Sequence, residues 1–276
     1  MSDVPPFATK LVAYDEINKE AFMSLHVGHF TGLSMNDSTS FLDRKFYLSL
    51  MMLEKPVYQV GGYYFTTNLV MLGKASSDGS VAAKLRASIS DHFLVKANAV
   101  LRFDPCVLTG LVTFDHMGLR HRAQLQLGSK GVLGATYVHR CTPSLSLGTE
   151  FVCSNLAHDP AVGFALRFED DKTVATAKGS STGSLLITYL HKVSKKVFLA
   201  TDFVYNIFSK DVKASVGCDY MFDQCRVIGR IDSDGVACAS LEEGVNSGLK
   251  FLVSASWDQS RGLWKVVNFS SADEFE

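Results

Sequence analysis

From about residue 30 onward, apolar and polar side chains alternate one for one. Arg120, Arg122, Gln124 and Gln126 interleave with His121, Ala123, Leu125 and Leu127, and Gly128-Ser129-Lys130-Gly131 then turns the chain. Val162, Phe164, Leu166 and Phe168 interleave with Gly163, Ala165, Arg167 and Glu169 before a turn at Asp170-Asp171-Lys172. Val197, Leu199, Thr201, Phe203 and Tyr205 oppose Phe198, Ala200, Asp202, Val204 and Asn206. Val212, Ala214, Val216, Cys218 and Tyr220 oppose Lys213, Ser215, Gly217 and Asp219. Leu249, Phe251, Val253, Ala255 and Trp257 oppose Lys250, Leu252, Ser254, Ser256 and Asp258. A sustained period of two marks a strand with one apolar and one polar face. Turn residues recur between these runs, at Ser77-Asp78-Gly79, Ser90-Asp91, Asp104-Pro105, Ser180-Ser181-Thr182-Gly183, Ser194-Lys195-Lys196, Ser209-Lys210-Asp211 and Ser233-Asp234-Gly235. The two Asp-Gly pairs are the strongest hairpin signals among them.

About nineteen strands fit between residues 31 and 270, at roughly 13 residues each, which suits a ten-residue membrane strand plus a short turn. No long helical pattern lies between them, so parallel βαβ units are excluded. The start of the chain differs. From Tyr14 to Leu25, the positions Tyr14, Ile17, Ala21 and Leu25 fall on one helical stripe, and Asp15 and Glu16 sit in the first turn, where acids suit the helix dipole. The predicted fold is all-β: a transmembrane barrel of about nineteen strands, with a short N-terminal helix inside or at the mouth of the pore. Its units are an N-terminal segment over 1–30, the barrel over 31–270 and an acidic tail over 271–276. Aromatic residues near strand ends (Phe46, Tyr47, Tyr58, Tyr63, Tyr64, Phe103, Phe208, Phe222, Trp257) suit girdles at two membrane interfaces, though an ordinary β-core would also hold many.

Composition narrows the class. The 276 residues carry 27 Lys and Arg against 28 Asp and Glu, a net charge of -1, which argues against a nucleic-acid binder. With 47% hydrophobic and 20% charged residues, disorder is excluded for most of the chain. Mean hydropathy is +0.12. No uninterrupted run of eighteen apolar residues occurs, so a membrane-spanning helix is excluded. A membrane barrel survives because its lumen face dilutes its lipid face. A soluble β-protein is the competing class, but nineteen one-sided strands are too many for a small closed barrel.

Candidate chemistry is sparse. The six cysteines, Cys106, Cys141, Cys153, Cys218, Cys225 and Cys238, form no C-x-x-C pair. The first ten residues show no secretory signal, which predicts a reducing compartment and free thiols. His26 and His29 flank Gly28 without an acidic or cysteine partner and read as a surface pair rather than metal ligands. Dinucleotide, phosphate-loop, zinc-protease and nucleophile-elbow signatures are missing; Gly73-Lys74 lacks the glycine five places earlier that a phosphate loop requires. The chain is therefore read as no enzyme, without cofactor, metal or catalytic residues.

Several stretches resemble a known family. Leu133-Gly134-Ala135-Thr136-Tyr137, followed by Thr142 through Glu150, is similar to a signature of the mitochondrial porin superfamily, in its branch of central channels of the outer-membrane protein translocase (the TOM complex), plant members in particular. Tyr14-Asp15-Glu16, Met23-Ser24-Leu25 and Phe30-Thr31-Gly32-Leu33 resemble that branch's N-terminal region. Arg122 to Gly128, Ala200 to Asn206, Ile231 to Val236 and Leu241-Glu242-Glu243 match it in order. Two departures stand out. The connection Glu54-Lys55-Pro56-Val57-Tyr58 is short, and the closing polar-x-Gly-x-x-hydrophobic-x-hydrophobic sorting signal has Val267 in the glycine place and Ser270 in a hydrophobic one.

The resemblance implies a nineteen-stranded barrel, parallel pairing of its first and last strands and an N-terminal segment threading the lumen. It implies passage of unfolded precursor proteins across the mitochondrial outer membrane, without nucleotide or cofactor. Expected partners are receptor and small helical subunits of the TOM complex, precursors with basic presequences, membrane lipid and further copies of the barrel; nucleic acid is not among them. The alternative in the same superfamily is a voltage-dependent-anion-channel-like metabolite porin. Targeting segments are Arg-rich and poor in acids, so acids on the polar strand face, Asp115, Glu150, Asp202, Asp219 and Asp232, are candidates for a diffuse track of weak contacts. Arg120, Arg122, Lys213, Arg226 and Arg230 are then expected to line another wall. Phe198 and Leu252 put apolar side chains on the same face, either to shield a passing chain or to pack on the N-terminal helix.

Overall fold

A computed structural model describes residues 11–27, 32–41, 46–53, 58–155, 160–222, 225–246, 249–259 and 262–267. A 3-10 turn at Tyr14–Glu16 and helix α1 at Lys19–Leu25 come first. The first strands are β1 (Gly32–Phe41), β2 (Phe46–Leu53), β3 (Tyr58–Phe65), β4 (Leu69–Ser76), β5 (Ser80–Ser90), β6 (Phe93–Arg102) and β7 (Val107–Met117). Next come β8 (His121–Gly128), β9 (Val132–Arg140), β10 (Leu145–Cys153), β11 (Ala161–Glu169), β12 (Thr173–Ser180) and β13 (Ser184–Lys192). The last are β14 (Val197–Asn206), β15 (Val212–Met221), β16 (Cys225–Asp232), β17 (Val236–Asn246), β18 (Leu249–Asp258) and β19 (Leu263–Val267). All nineteen belong to one sheet. Each strand pairs antiparallel with its sequence neighbour, from Leu33 opposite Met52 in the first pair to Ala255 opposite Val266 in the last. In a meander of odd strand number the first and last strands point the same way, so any ladder between them is parallel.

The sheet curls into a barrel with its polar face inward. In β8, Arg122 and Gln124 are buried while Leu125 is exposed; in β11, Arg167 is buried while Phe164, Leu166 and Phe168 are exposed. In β15, Ser215 and Asp219 are buried and Val216 is exposed. This is the reverse of a soluble core, and it matches the predicted alternation strand by strand. Eighteen of the strands are eight to eleven residues long, and β19 spans five. Tilted strands of about nine to eleven residues cross a bilayer's apolar layer. Exposed aromatics fall at both rims: Tyr58, Phe103 and Phe208 where even-numbered strands end, Phe65 and Phe222 where odd-numbered ones do.

Turn chemistry fixes the register. Gly79, Gly183 and Gly235 have φ of 78°, 81° and 78°, and each donates its N–H back to the last residue of the preceding strand, Ser76, Ser180 and Asp232. These are three-residue loops with glycine in the left-handed position, the hairpin next in frequency to the two-residue one. Both Asp-Gly pairs thus close hairpins, one residue longer than the tightest form.

The N-terminal segment lies against the inner wall, not across the rim. Its predicted stripe of Tyr14, Ile17, Ala21 and Leu25 is fully buried, at 0–3% exposure. Tyr14, Ile17 and Leu11 pack on Val138 and Ala165; Ala21 and Leu25 pack on Val174, Leu190 and Ala200, with Phe198 alongside. Phe198 therefore packs against the helix. The side chain of Leu252 lies outside the described residues, as do the 54–57 connection, His29, Ser270 and the acidic tail. The helix is shorter than the stripe predicts. Asn18, with φ −114° and ψ 13°, interrupts it between the 3-10 turn and α1, in keeping with the poor standing of asparagine inside helices.

Outward-facing leucines should be intolerant of charge. Leu125→Arg, mid-strand on the lipid face, is expected to destabilise the barrel by about 2–4 kcal/mol, and Leu119→Arg, in an exposed rim turn, by about 0–1 kcal/mol. Urea unfolding in lipid vesicles measures both, and equal costs would contradict the inside-out assignment.

Candidate functional site

The lumen is lined by charge pairs set on neighbouring strands. Asp115 of β7 is 0% exposed. It accepts from Arg122 Nε at 2.9 Å, Arg122 Nη2 at 2.6 Å and Gln124 Nε2 at 2.9 Å, all from β8, with Lys96 Nζ of β6 at 3.9 Å. The pairing register explains the contact: Asp115 stands opposite Gln124 and Met117 opposite Arg122, so the guanidinium reaches diagonally along the same face. The same geometry recurs at Asp219 of β15, which accepts from Arg226 Nε at 3.0 Å and Nη2 at 2.7 Å. Such fork-on-carboxylate bonds are the strong, directional ones.

Other expected residues are placed differently. Arg230 Nε donates to Asp232 two residues along β16 at 2.5 Å. Asp202 accepts from the Ser215 hydroxyl across β14 and β15. Glu150 of β10 lies 3.7 Å from Lys178 Nζ of β12, and that ammonium sits 4.1 Å from the Tyr14 ring centroid. Lys213 is exposed near the start of β15, 3.8 Å from Asp234. Arg120 lies in the rim turn before β8, its carbonyl accepting from the Arg140 N–H. The expected separation into an acidic and a basic wall does not occur. Arg122, Arg226 and Arg230 interleave with the acids, because opposite charges at diagonal positions, or two residues apart on one strand, share a sheet face and neutralise each other locally.

Further contributors were not among the candidates read from the sequence. Arg167 of β11 is buried among Glu169 at 3.0 Å and both carboxylate oxygens of Glu20 at 2.7 and 2.9 Å. Lys178, Glu20, Glu169, Glu16, Lys96 and Gln124 belong with it. Arg167 and Glu169 are visible in the sequence as two charges on the polar face of one strand, but their link to Glu20, 147 residues earlier, is a product of the fold. Toward the pore, the segment presents Asp15, Lys19, Phe22, Met23 and His26, all exposed. Glu16, Glu20 and Glu169 keep 40–44% of their side-chain surface, whereas Asp115 and Asp219 keep 0–1%.

Tyr14 has a prepared seat. A Cβ at Gly148 would come within 2.9 Å of its ring, and one at Gly163 within 2.5 Å of its hydroxyl. Glycine there is a matter of close approach, not of backbone conformation.

A one-sheet meander with polar residues inside, apolar residues outside and a helix along the inner wall is the anatomy of a membrane pore. The chain belongs to the eukaryotic porin family, whose sequence profile matches residues 11–268. It is 38% identical over 272 residues to the probable mitochondrial import receptor subunit TOM40-2 of Arabidopsis thaliana, covering 92% of this chain and 87% of that one. It is 24% identical over 214 residues to the mitochondrial import receptor subunit TOM40 homolog of Xenopus laevis, covering 71% of this chain and 63% of that protein. Among solved structures, a triple mutant of the Rhodopseudomonas blastica porin superposes with a TM-score of 0.53 over 87% of this chain and 95% of that one. At 9% identity the last likeness is one of fold alone.

The Asp115–Arg122 pair should behave as a buried unit. Asp115→Asn leaves a guanidinium without its carboxylate and is expected to cost roughly 3–5 kcal/mol. The double change D115N/R122Q should recover a large part of that loss. A double-mutant cycle on unfolding in vesicles reads the coupling, and simple additivity would show that the two side chains act independently.

Proposed function

We propose that this chain is the protein-conducting channel of the mitochondrial outer membrane, passing unfolded nuclear-encoded precursor proteins. The observation that carries the reading is the 38% identity, sustained over 92% of the chain, to a probable mitochondrial import receptor subunit. The barrel supplies a polar passage across the bilayer, and the work it does is binding and confinement, not bond chemistry; it acts as a channel and not as an enzyme. It works with the receptor and small helical subunits of the TOM complex, with further copies of itself, and with precursors carrying basic presequences. The metabolite-porin alternative is weaker, since the relatives from Arabidopsis thaliana and Xenopus laevis bear the import-subunit name.

The candidate contacts for a basic presequence are acids that keep some exposure: Glu150 and Asp232, each 23% exposed, with Asp202, and beside them Glu16, Glu20 and Glu169. Exposed ion pairs contribute only about 0–1 kcal/mol each, which favours transit over trapping. Asp115 and Asp219 serve the same passage at one remove, by fixing Arg122 and Arg226. Arg120, Lys213 and Arg230 keep the average field of the lumen low.

Two measurements test the reading. Radiolabelled chain imported into isolated mitochondria is expected to resist alkaline extraction and enter a large complex on native electrophoresis; release on extraction would contradict it. In such mitochondria, E150Q/D202N/D232N is expected to slow import of a strongly basic precursor by up to about five-fold per removed acid, with little effect on a weakly charged one. Unchanged rates for both would remove these acids from the transport path.

A further inference from the structure

The wall holds the N-terminal segment through its backbone. Arg122 Nη1 of β8 donates to the Leu11 carbonyl at 3.0 Å, Arg167 Nη1 of β11 to the Ile17 carbonyl at 2.6 Å, and Arg226 Nη2 of β16 to the Met23 carbonyl at 3.2 Å. The acceptors are six residues apart both times. Leu11 precedes the 3-10 turn, Ile17 precedes the N-cap of α1, and Met23 lies in its last turn. These are positions where carbonyls lack a partner within the helical ladder. Between the three guanidinium groups the wall offers two apolar patches to the buried stripe, Val138 with Ala165 and Val174 with Leu190 and Ala200, set among polar residues such as Thr176 and Thr188.

Much of this recognition does not depend on the identity of residues 11–27, although Tyr14 and Glu20 add side-chain contacts at Gly148, Gly163 and Arg167. A carbonyl presents the same acceptor whatever its side chain, and the apolar floor asks only for apolar groups at three- and four-residue spacing. Each arginine also keeps a carboxylate of the wall itself: Asp115 for Arg122, Glu169 for Arg167 and Asp219 for Arg226. If the segment left and took Glu16 and Glu20 with it, the three guanidinium groups would stay neutralised, and a basic chain could approach them. Away from the wall the segment would not hold its helix, since seven residues are too few for a stable isolated helix.

The geometry points to a polypeptide-binding groove, formed by Arg122, Arg167 and Arg226 over this apolar floor, that takes an amphipathic helical segment of a passing chain, with residues 11–27 as its resident occupant. The inference rests on the protein-channel reading and adds where in the lumen a chain is held and by which atoms. The groove selects chiefly for amphipathicity and for backbone carbonyls, as a conduit for many different chains requires.

The test uses the full-length chain in planar bilayers, with a synthetic peptide of residues 11–27 as probe and a scrambled peptide of the same composition as control. Loosening the resident segment by I17A/L25A is expected to lengthen probe blockades roughly ten-fold, with no change for the scrambled peptide. Tyr14→Ala, which empties the seat over Gly148 and Gly163 in the resident segment and leaves the wall unchanged, should act in the same direction and guards against an effect peculiar to the first pair of substitutions. Equal dwell times in the unaltered chain and both variants, or equal lengthening with the scrambled peptide, would overturn the groove. Where mitochondria carrying the chain still import precursors, that result leaves the channel reading intact. Loss of import by the unaltered chain would remove both.

Discussion

An arginine shared between a carboxylate of the sheet and a carbonyl of the N-terminal segment is the interaction on which the interior depends. It occurs at Arg122, Arg167 and Arg226. A polar lumen creates the need for it. Strands that turn charged residues inward place groups such as Asp115 where water is displaced by the segment, and a buried carboxylate without a partner is costly. Pairing it with a guanidinium meets that cost and leaves donors over, and the spare N–H groups reach the backbone of residues 11–27 and, at Arg167, the Glu20 carboxylate as well. The segment is ordered by what the wall needs as much as by its own apolar stripe.

The stripe supplies the other half. Tyr14, Ile17, Ala21 and Leu25 enclose apolar wall residues that would otherwise face a polar passage, and burial of a large apolar side chain contributes about 1.5–3 kcal/mol. The wall is shaped accordingly: Gly148 and Gly163 recede beneath Tyr14, Ala165 packs with Tyr14 and Ile17, and Ala200 lies beneath the helix. Opposite this packed arc, the pore-facing side of the segment carries Phe22 and Met23, 44% and 40% exposed. The passage thus presents apolar as well as charged surface to what moves through it.

Much of this was legible in the sequence, and for a physical reason. A strand exposed to lipid on one side and water on the other must alternate, so Arg122, Gln124, Arg167 and Asp219 reveal their facing without any three-dimensional information. The helical stripe is equally local and was fully readable, although its break at Asn18 was not. Partnership is another matter. Acids and bases sharing the polar parity were visible, but whether they stand on opposite walls or diagonal positions depends on register, which the three-residue loops at Gly79, Gly183 and Gly235 help to set. Glu20 with Arg167 lies further out of reach, because it joins residues 147 apart through the path of the segment inside the barrel. A pairing between non-adjacent elements leaves no periodic trace.

Local pairing also bears on how such a lumen can handle polypeptides. Two separated walls of opposite sign would create a strong transverse field, and a basic segment would fall onto the acidic wall and stay there. Interleaving Asp115 with Arg122, Asp219 with Arg226 and Asp232 with Arg230 confines each field to a few ångströms. What remains at longer range is weak, from partly exposed carboxylates such as Glu20 and Glu169 beside Arg167. The chain as a whole is close to neutral, at -1, so the barrel adds little steering of its own. A conduit with shallow wells at short intervals lets a bound segment exchange one contact for the next without first losing all of them. Strength is thereby kept in the wall, where pairs hold the architecture, and withheld from the path.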